Sequence, residues 1–134
     1  MENIEKKITP EIAEELMKIQ AFLSQEEQIT EDTDLLIERL SYINAYMART
    51  NFLLAEAKAD LDAATKKVFA EYFNQILKMP ATVSQKFISA LCKEENYYAT
   101  LIERINKTCV HQGDNIRTLV SYAKENMALT RRGY

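Results

Sequence analysis

The stretch Asp34–Lys78, DLLIERLSYINAYMARTNFLLAEAKADLDAATKKVFAEYFNQILK, contains neither glycine nor proline. Along it Leu36, Leu40, Ile43, Met47, Thr50, Leu54, Ala57, Leu61, Ala64 and Val68 recur in steps of four and three residues, and nine of these ten are apolar. Steps of four and three return a side chain to the same face of an α-helix, so this is the heptad pattern of a helix packed lengthwise on another. After Val68 the apolar stripe widens through Phe69, Tyr72, Phe73, Ile76 and Leu77. The small residues Ala55, Ala57, Ala59, Ala63 and Ala64 allow a neighbouring helix to approach closely.

Outward from this segment the chain breaks at Met79-Pro80-Ala81-Thr82. Proline removes a helical hydrogen bond and pushes the preceding residue out of the α region. Thr82 or Ser84 can cap the short helix expected over Val83–Cys92. A second long helix is expected from about Lys93 to Leu129, with the seam Tyr98, Ile102, Ile105, Cys109, Gln112, Ile116, Leu119 and Ala123. Gly113 beside that seam is a point where the helix can thin or kink. The end, Thr130–Tyr134, is expected to fray. On the other side, Thr9-Pro10-Glu11 is a helix start, with threonine as cap, proline in the first turn and an acid at the positive dipole end. Ile12, Leu16, Ile19 and Leu23 then share a face up to about Ser24. Between them, Gln25–Thr33 is polar and acidic and reads as a linker, with Thr30, Asp32 and Thr33 as cap candidates.

The fold class expected is therefore all-α: an elongated antiparallel helical hairpin resembling a coiled coil, preceded by a short N-terminal helix. Residues 1–34 form the acidic N-terminal helix and linker, and residues 35–134 the long hairpin with its break at 79–82. The core seam is carried by Leu40, Ile43, Met47, Leu54, Leu61 and Val68 on one strand of the hairpin and by Ile102, Ile105, Ile116 and Leu119 on the other. Leu35–Lys78 would be about 66 Å long at 1.5 Å per residue. A compact globule of this chain length has a radius of gyration of only about 14 Å, so the molecule is expected to be elongated. A bare hairpin leaves Tyr42, Tyr46, Leu53, Phe69 and Phe73 partly uncovered. Burying such groups is worth about 25 cal/mol per Å², so a homo-oligomer is expected.

Composition excludes several functions. The 134 residues include two glycines, two prolines, two cysteines and one histidine, with 47% apolar and 28% charged residues. So few turn formers argue against sheet architectures, and two separate glycines cannot build a phosphate-binding loop. Cys92 and Cys109 make no disulfide framework. His111 stands two positions from Cys109, and that spacing points the two side chains to different faces of a helix. Glu94, Glu95 and Glu103 lack the repeated Glu-x-x-His pattern of di-iron bundles. Glu26, Glu27, Glu31, Asp32 and Asp34 lack the spacing and central glycine of a calcium loop. No enzyme activity, metal, cofactor or small-molecule substrate is expected. No leader or membrane-length apolar run is visible, which predicts a cytoplasmic setting with reduced thiols and no membrane partner. The sequon Asn106-Lys107-Thr108 then reads as chance.

Charge is unevenly placed. Residues 1–34 carry three lysines against ten carboxylates, whereas Arg104–Tyr134 carries six basic against two acidic groups. Ordinary solvated helix surface accounts for such a distribution. So does a basic surface for an anionic partner, or head-to-tail attraction between subunits. The C-terminal set Arg104, Lys107, Arg117, Tyr122, Lys124, Arg131, Arg132 and Tyr134 mixes cations with aromatics, the combination that neutralises phosphates and stacks bases. Cations also gather at helix C-termini for dipole reasons alone.

The segments ARTNFLLAEAKADLDAATKKVFAEYF (Ala48–Phe73), MPATVSQKFISAL (Met79–Leu91) and GDNIRTLVSYAKENMAL (Gly113–Leu129) resemble small helical phage and prophage proteins of the recombination-mediator type found in T-even-like phages. The resemblance spans about residues 45–134; the acidic arm before Asp34 has no counterpart. It implies a ring-forming accessory protein that binds single-stranded DNA and helps a recombinase or annealing protein to load. It carries over the role of the basic C-terminal region rather than individual residues, and makes Arg117, Lys124, Arg131 and Arg132 the candidate phosphate contacts. A protein-only helical scaffold or assembly adaptor is the alternative.

Overall fold

The computed structural model describes residues 5–25 and 32–133, and among these every regular element is helical. The order is α1 (Pro10–Ser24), α2 (Thr33–Glu71), α3 (Phe73–Leu77), α4 (Ala81–Leu91) and α5 (Lys93–Arg131). The acidic positions Glu26, Glu27 and Glu31, the cap candidate Thr30, and Tyr134 lie outside the described residues.

Local chemistry sets the helix starts. Thr9 Oγ1 accepts the N–H of Ile12 at 3.3 Å, and Pro10 occupies the first helical position, where no hydrogen bond is lost. Of the caps considered for α2, Asp32 fills the position, its Oδ1 accepting the N–H of Asp34 at 3.0 Å and of Leu35 at 3.4 Å. For α4 neither Thr82 nor Ser84 is the cap. Pro80 stands there with φ −58° and ψ 150°, and the Ser84 hydroxyl donates instead to the carbonyl of Ala81 at 2.9 Å. The proline sets the turn by itself because its ring fixes φ and forbids an incoming helical bond.

The long segment 34–78 is one bent rod. Tyr72 separates α2 from α3 with φ −116° and ψ 24°, yet its N–H reaches Val68 O at 3.0 Å and its carbonyl accepts Ile76 N–H at 2.9 Å. Cys92 does the same between α4 and α5, bonding to Ile88 O and Asn96 N–H at 3.0 Å each. The two bends belong to one stretch of the hairpin. The rings of Tyr72 and Phe87 meet edge to face at 5.3 Å across it. At the C-terminal end the helix persists to Arg131, past the fraying expected from Thr130.

α2 and α5, each 39 residues and so about 58 Å long, pack antiparallel along their length. Ile43, Ile102 and Ile116 of these helices are fully buried, with Leu36, Ala57, Ile105 and Cys109 also buried. Leu40, Met47, Leu54, Leu61 and Leu119 are half-buried at the edges of this seam, and Val68 is buried near its far end. Gly113 is buried inside an unbroken helix, where its missing Cβ faces Leu40 and Ile43.

α1 corrects one expectation. A bare hairpin would leave Leu53 and Tyr46 uncovered, but Leu53 is 0% exposed, in one core with Leu16 and Ile19 of α1, and Tyr46 is half-buried with its ring 5.2 Å from Phe22. The start of α1 lies by Asp60, and its end by Arg39 and Gln112. The helix therefore runs antiparallel to α2 and parallel to α5, making a three-helix bundle over this part of the hairpin. Tyr42, Phe69 and Phe73 remain exposed.

Candidate nucleic-acid interface

The basic C-terminal residues sit on α5. Arg117, Lys124 and Arg131 follow one another at seven-residue spacing. Seven residues make almost two turns, so the three lie along one side of the helix, about 10.5 Å apart. Arg132 caps the helix end, its N–H shared among the last carbonyls.

Arg117 is tied into the fold. Its Nη1 lies 3.2 Å from Asp114 Oδ1, and its Nη2 donates to Asn44 Oδ1 on α2 at 3.2 Å. Lys124, Arg131 and Arg132 are exposed and make no ion pair among the described residues. Arg117 opposite Asn44, and Gly113 against Leu40 and Ile43, place Thr33 across from roughly residue 123. The last two turns of α5 therefore extend beyond the start of α2. There Ala123, Asn126, Met127, Thr130 and Arg131 line a shallow open groove of about 320 Å³.

The rest of the sequence-named cluster does not gather here. Lys107 pairs with Glu103 one turn away at 3.5 Å. Arg104 lines a separate groove with Lys93, Tyr97 and Leu101. Tyr122 is 65% exposed, but two residues from Lys124 is 200° of helical rotation, so its ring faces away from the cation line. Tyr97 is exposed while Tyr98 is half-buried, their rings in edge contact at 5.3 Å.

Cys109 is sealed in the core and His111 is exposed, so the helix holds them apart. Burial pushes the Cys109 and Cys92 thiols above their ordinary value, and Thr65 partly counters this at Cys92 by hydrogen bonding. Among the described residues no group of three or more His, Cys, Asp or Glu side chains could hold a metal ion, and no helix is long and apolar enough to cross a membrane.

Several polar contacts had no sequence signature of their own. Gln112, the one polar seam position, donates to Leu23 O at 2.8 Å and accepts from Arg39 at 3.1 Å, closing the end of α1 onto the hairpin. Asn106 offers its amide to Thr50 Oγ1 at 3.0 Å and Asn51 Oδ1 at 2.9 Å. Heptad position flags Gln112 and Thr50 as exceptions, but their partners lie on other helices.

No family model, no curated protein and no solved structure matches the chain.

Proposed function

We propose that this chain is a non-enzymatic, self-associating helical accessory protein that binds single-stranded DNA along the C-terminal part of α5. The observation that supports this reading is the line of Arg117, Lys124 and Arg131 on one side of a helix that runs past its partner, with Lys124 and Arg131 unpaired among the described residues. Such a line follows a phosphate backbone without reading bases. Affinity would come from counterion release, multiplied by the number of subunits. The likeness to recombination mediators agrees with this role.

Light scattering on a sizing column, with and without labelled oligo-dT at two salt concentrations, tests it. An oligomer that carries the strand and sheds it as salt rises is the expected result. A monomer, or an oligomer indifferent to the strand, overturns it. Lys124→Glu with Arg131→Glu should weaken binding at least tenfold, since each removes one phosphate contact and adds a repulsion.

A protein-only helical scaffold is the second reading. It is favoured by the engagement of Arg117 with Asp114 and Asn44, and by the open groove at Ala123 and Met127, which continues the packing face of α5.

A further inference from the structure

The far end of the hairpin, where α3 turns into α4, has a different chemistry from the rest of the molecule. Between Lys66 and Lys93 the chain carries five lysines, Lys66, Lys67, Lys78, Lys86 and Lys93, against the single carboxylate Glu71. All five are exposed, and none makes an ion pair among the described residues. The chain as a whole has a net charge of −3, so this end is locally basic on an acidic protein.

The same end is apolar on its outside. Phe69, Phe73 and Leu77 follow at four-residue steps on one side of the bent rod, and are 43%, 45% and 64% exposed. The two phenyl rings touch edge to face at 5.6 Å. Across the turn Val83 and Leu91 are also exposed, and no residue of α4 is buried. α1 begins level with Asp60 and does not extend over this end. Helical rotation places Lys66 on the Phe69–Leu77 stripe and Lys67 and Lys78 about 120–140° round from it.

We infer that this tip docks on an anionic lipid surface. Charge selects among the possible occupants. Tip-to-tip packing of two copies would oppose ten lysines to two carboxylates, a repulsion that weakens an isologous contact. A nucleic acid would be served by the cations alone and would leave Leu77, Val83 and Leu91 in water. No arginine lies between Arg49 and Arg104, so the planar guanidinium favoured for phosphate forks and base stacking is missing here. Lysines on flexible stems around protruding phenylalanine and leucine side chains match the headgroup boundary, where the apolar groups enter and the ammonium groups stay with anionic headgroups. This inference does not depend on the DNA reading, which concerns the opposite end of α5.

Co-sedimentation of the full chain with vesicles of about three parts phosphatidylcholine to one part phosphatidylserine tests it, beside pure phosphatidylcholine vesicles and oligo-dT. The protein is expected to pellet with the anionic vesicles and not with the neutral ones. Lys66→Ala, on the apolar stripe, should lower the partition coefficient about fivefold. The double change Phe73→Ser, Leu77→Ser should lower it at least about tenfold with helix content unchanged, since both side chains face solvent. Absence of vesicle binding, or equal binding to neutral vesicles, overturns the proposal. So does loss of oligo-dT binding in the lysine variant without any vesicle binding, which assigns the tip to nucleic acid. A dimer abolished by the Phe73→Ser, Leu77→Ser change assigns it to a second copy and overturns it as well.

Discussion

The carboxylate of Asp60 on α2 accepts the backbone N–H of Ile8 at 3.0 Å and, through both oxygens, that of Lys7 at 2.9 and 3.1 Å. Ile8 is buried and Asp60 is 9% exposed, so the contact holds the chain just before α1 against the hairpin. Peptide N–H groups turned towards the core would otherwise lack water and partner alike. Lys6 reinforces the arrangement by reaching Glu94 at 2.9 Å and Glu95 at 3.3 Å on α5.

Asp60→Ala should therefore cost about 1–3 kcal/mol, the penalty for stranding buried donors of this kind. Urea unfolding gives the magnitude, and hydrogen exchange gives the location. The Lys7 and Ile8 amides should lose protection before those of Ile102 and Ile105. Unchanged protection at Lys7 and Ile8 would show that the anchor is dispensable.

Glu15 and Arg49 join α1 to α2 through two parallel bonds, Nε to Oε1 at 2.7 Å and Nη2 to Oε2 at 3.0 Å. The guanidinium holds the Glu15 carboxyl below its ordinary 4.5. A depressed carboxylate contributes its full stability above that ordinary value and loses it as pH falls through the depressed one. Both side chains are more than a third exposed, so water screens the pair and Glu15→Gln should cost under about 1 kcal/mol near neutral pH. The difference from wild type should vanish in strong acid. A cost that grows on acidification would contradict this account.

Gly113→Ala should stabilise the protein by roughly 0.5–1 kcal/mol. Gly113 is helical, and an added Cβ would meet Ile43 Cγ2 and Leu40 Cδ1 at 3.8 Å and Arg117 Nη1, the far end of a long side chain, at 3.4 Å, all tolerable contacts. Alanine removes the conformational freedom of glycine from the unfolded chain without needing new space. A lowered melting temperature would mean that α5 cannot hold its approach to α2 once the methyl is present.

Cys92 and Cys109 should resist thiol reagents in the folded protein. Both are buried, and burial raises both thiols above their ordinary 9.0, so little thiolate exists near neutral pH. Labelling should proceed only as fast as the protein opens, and should accelerate together at both sites in urea. Rapid labelling of either thiol without denaturant would refute the packing described for it.

The helices of the described residues were legible in the sequence because helix formation is local. The run from Asp34 to Lys78 has heptad spacing and no breaker, Thr9-Pro10 is a start signal, and Pro80 can end a helix wherever it falls. The seam from Leu36 to Val68 and from Tyr98 to Ala123 was legible for the same reason, since periodicity reports which face is apolar. The alignment of Arg117, Lys124 and Arg131 also follows from spacing alone.

Tertiary structure decided what covers those faces. Leu53 looks like an exposed side chain of a two-helix hairpin until α1 folds back over it, and nothing near Leu53 in sequence announces that helix. Asp60, Gln112 and Asn106 acquired partners 53, 89 and 56 residues away, beyond the reach of any local pattern. Arg117 became an anchored side chain through Asn44, while Lys124, one heptad further on, makes no ion pair among the described residues. Periodicity identifies the face a helix must bury. Which element buries it, and which charges are neutralised in doing so, depends on contacts between distant segments that form only when the whole chain packs.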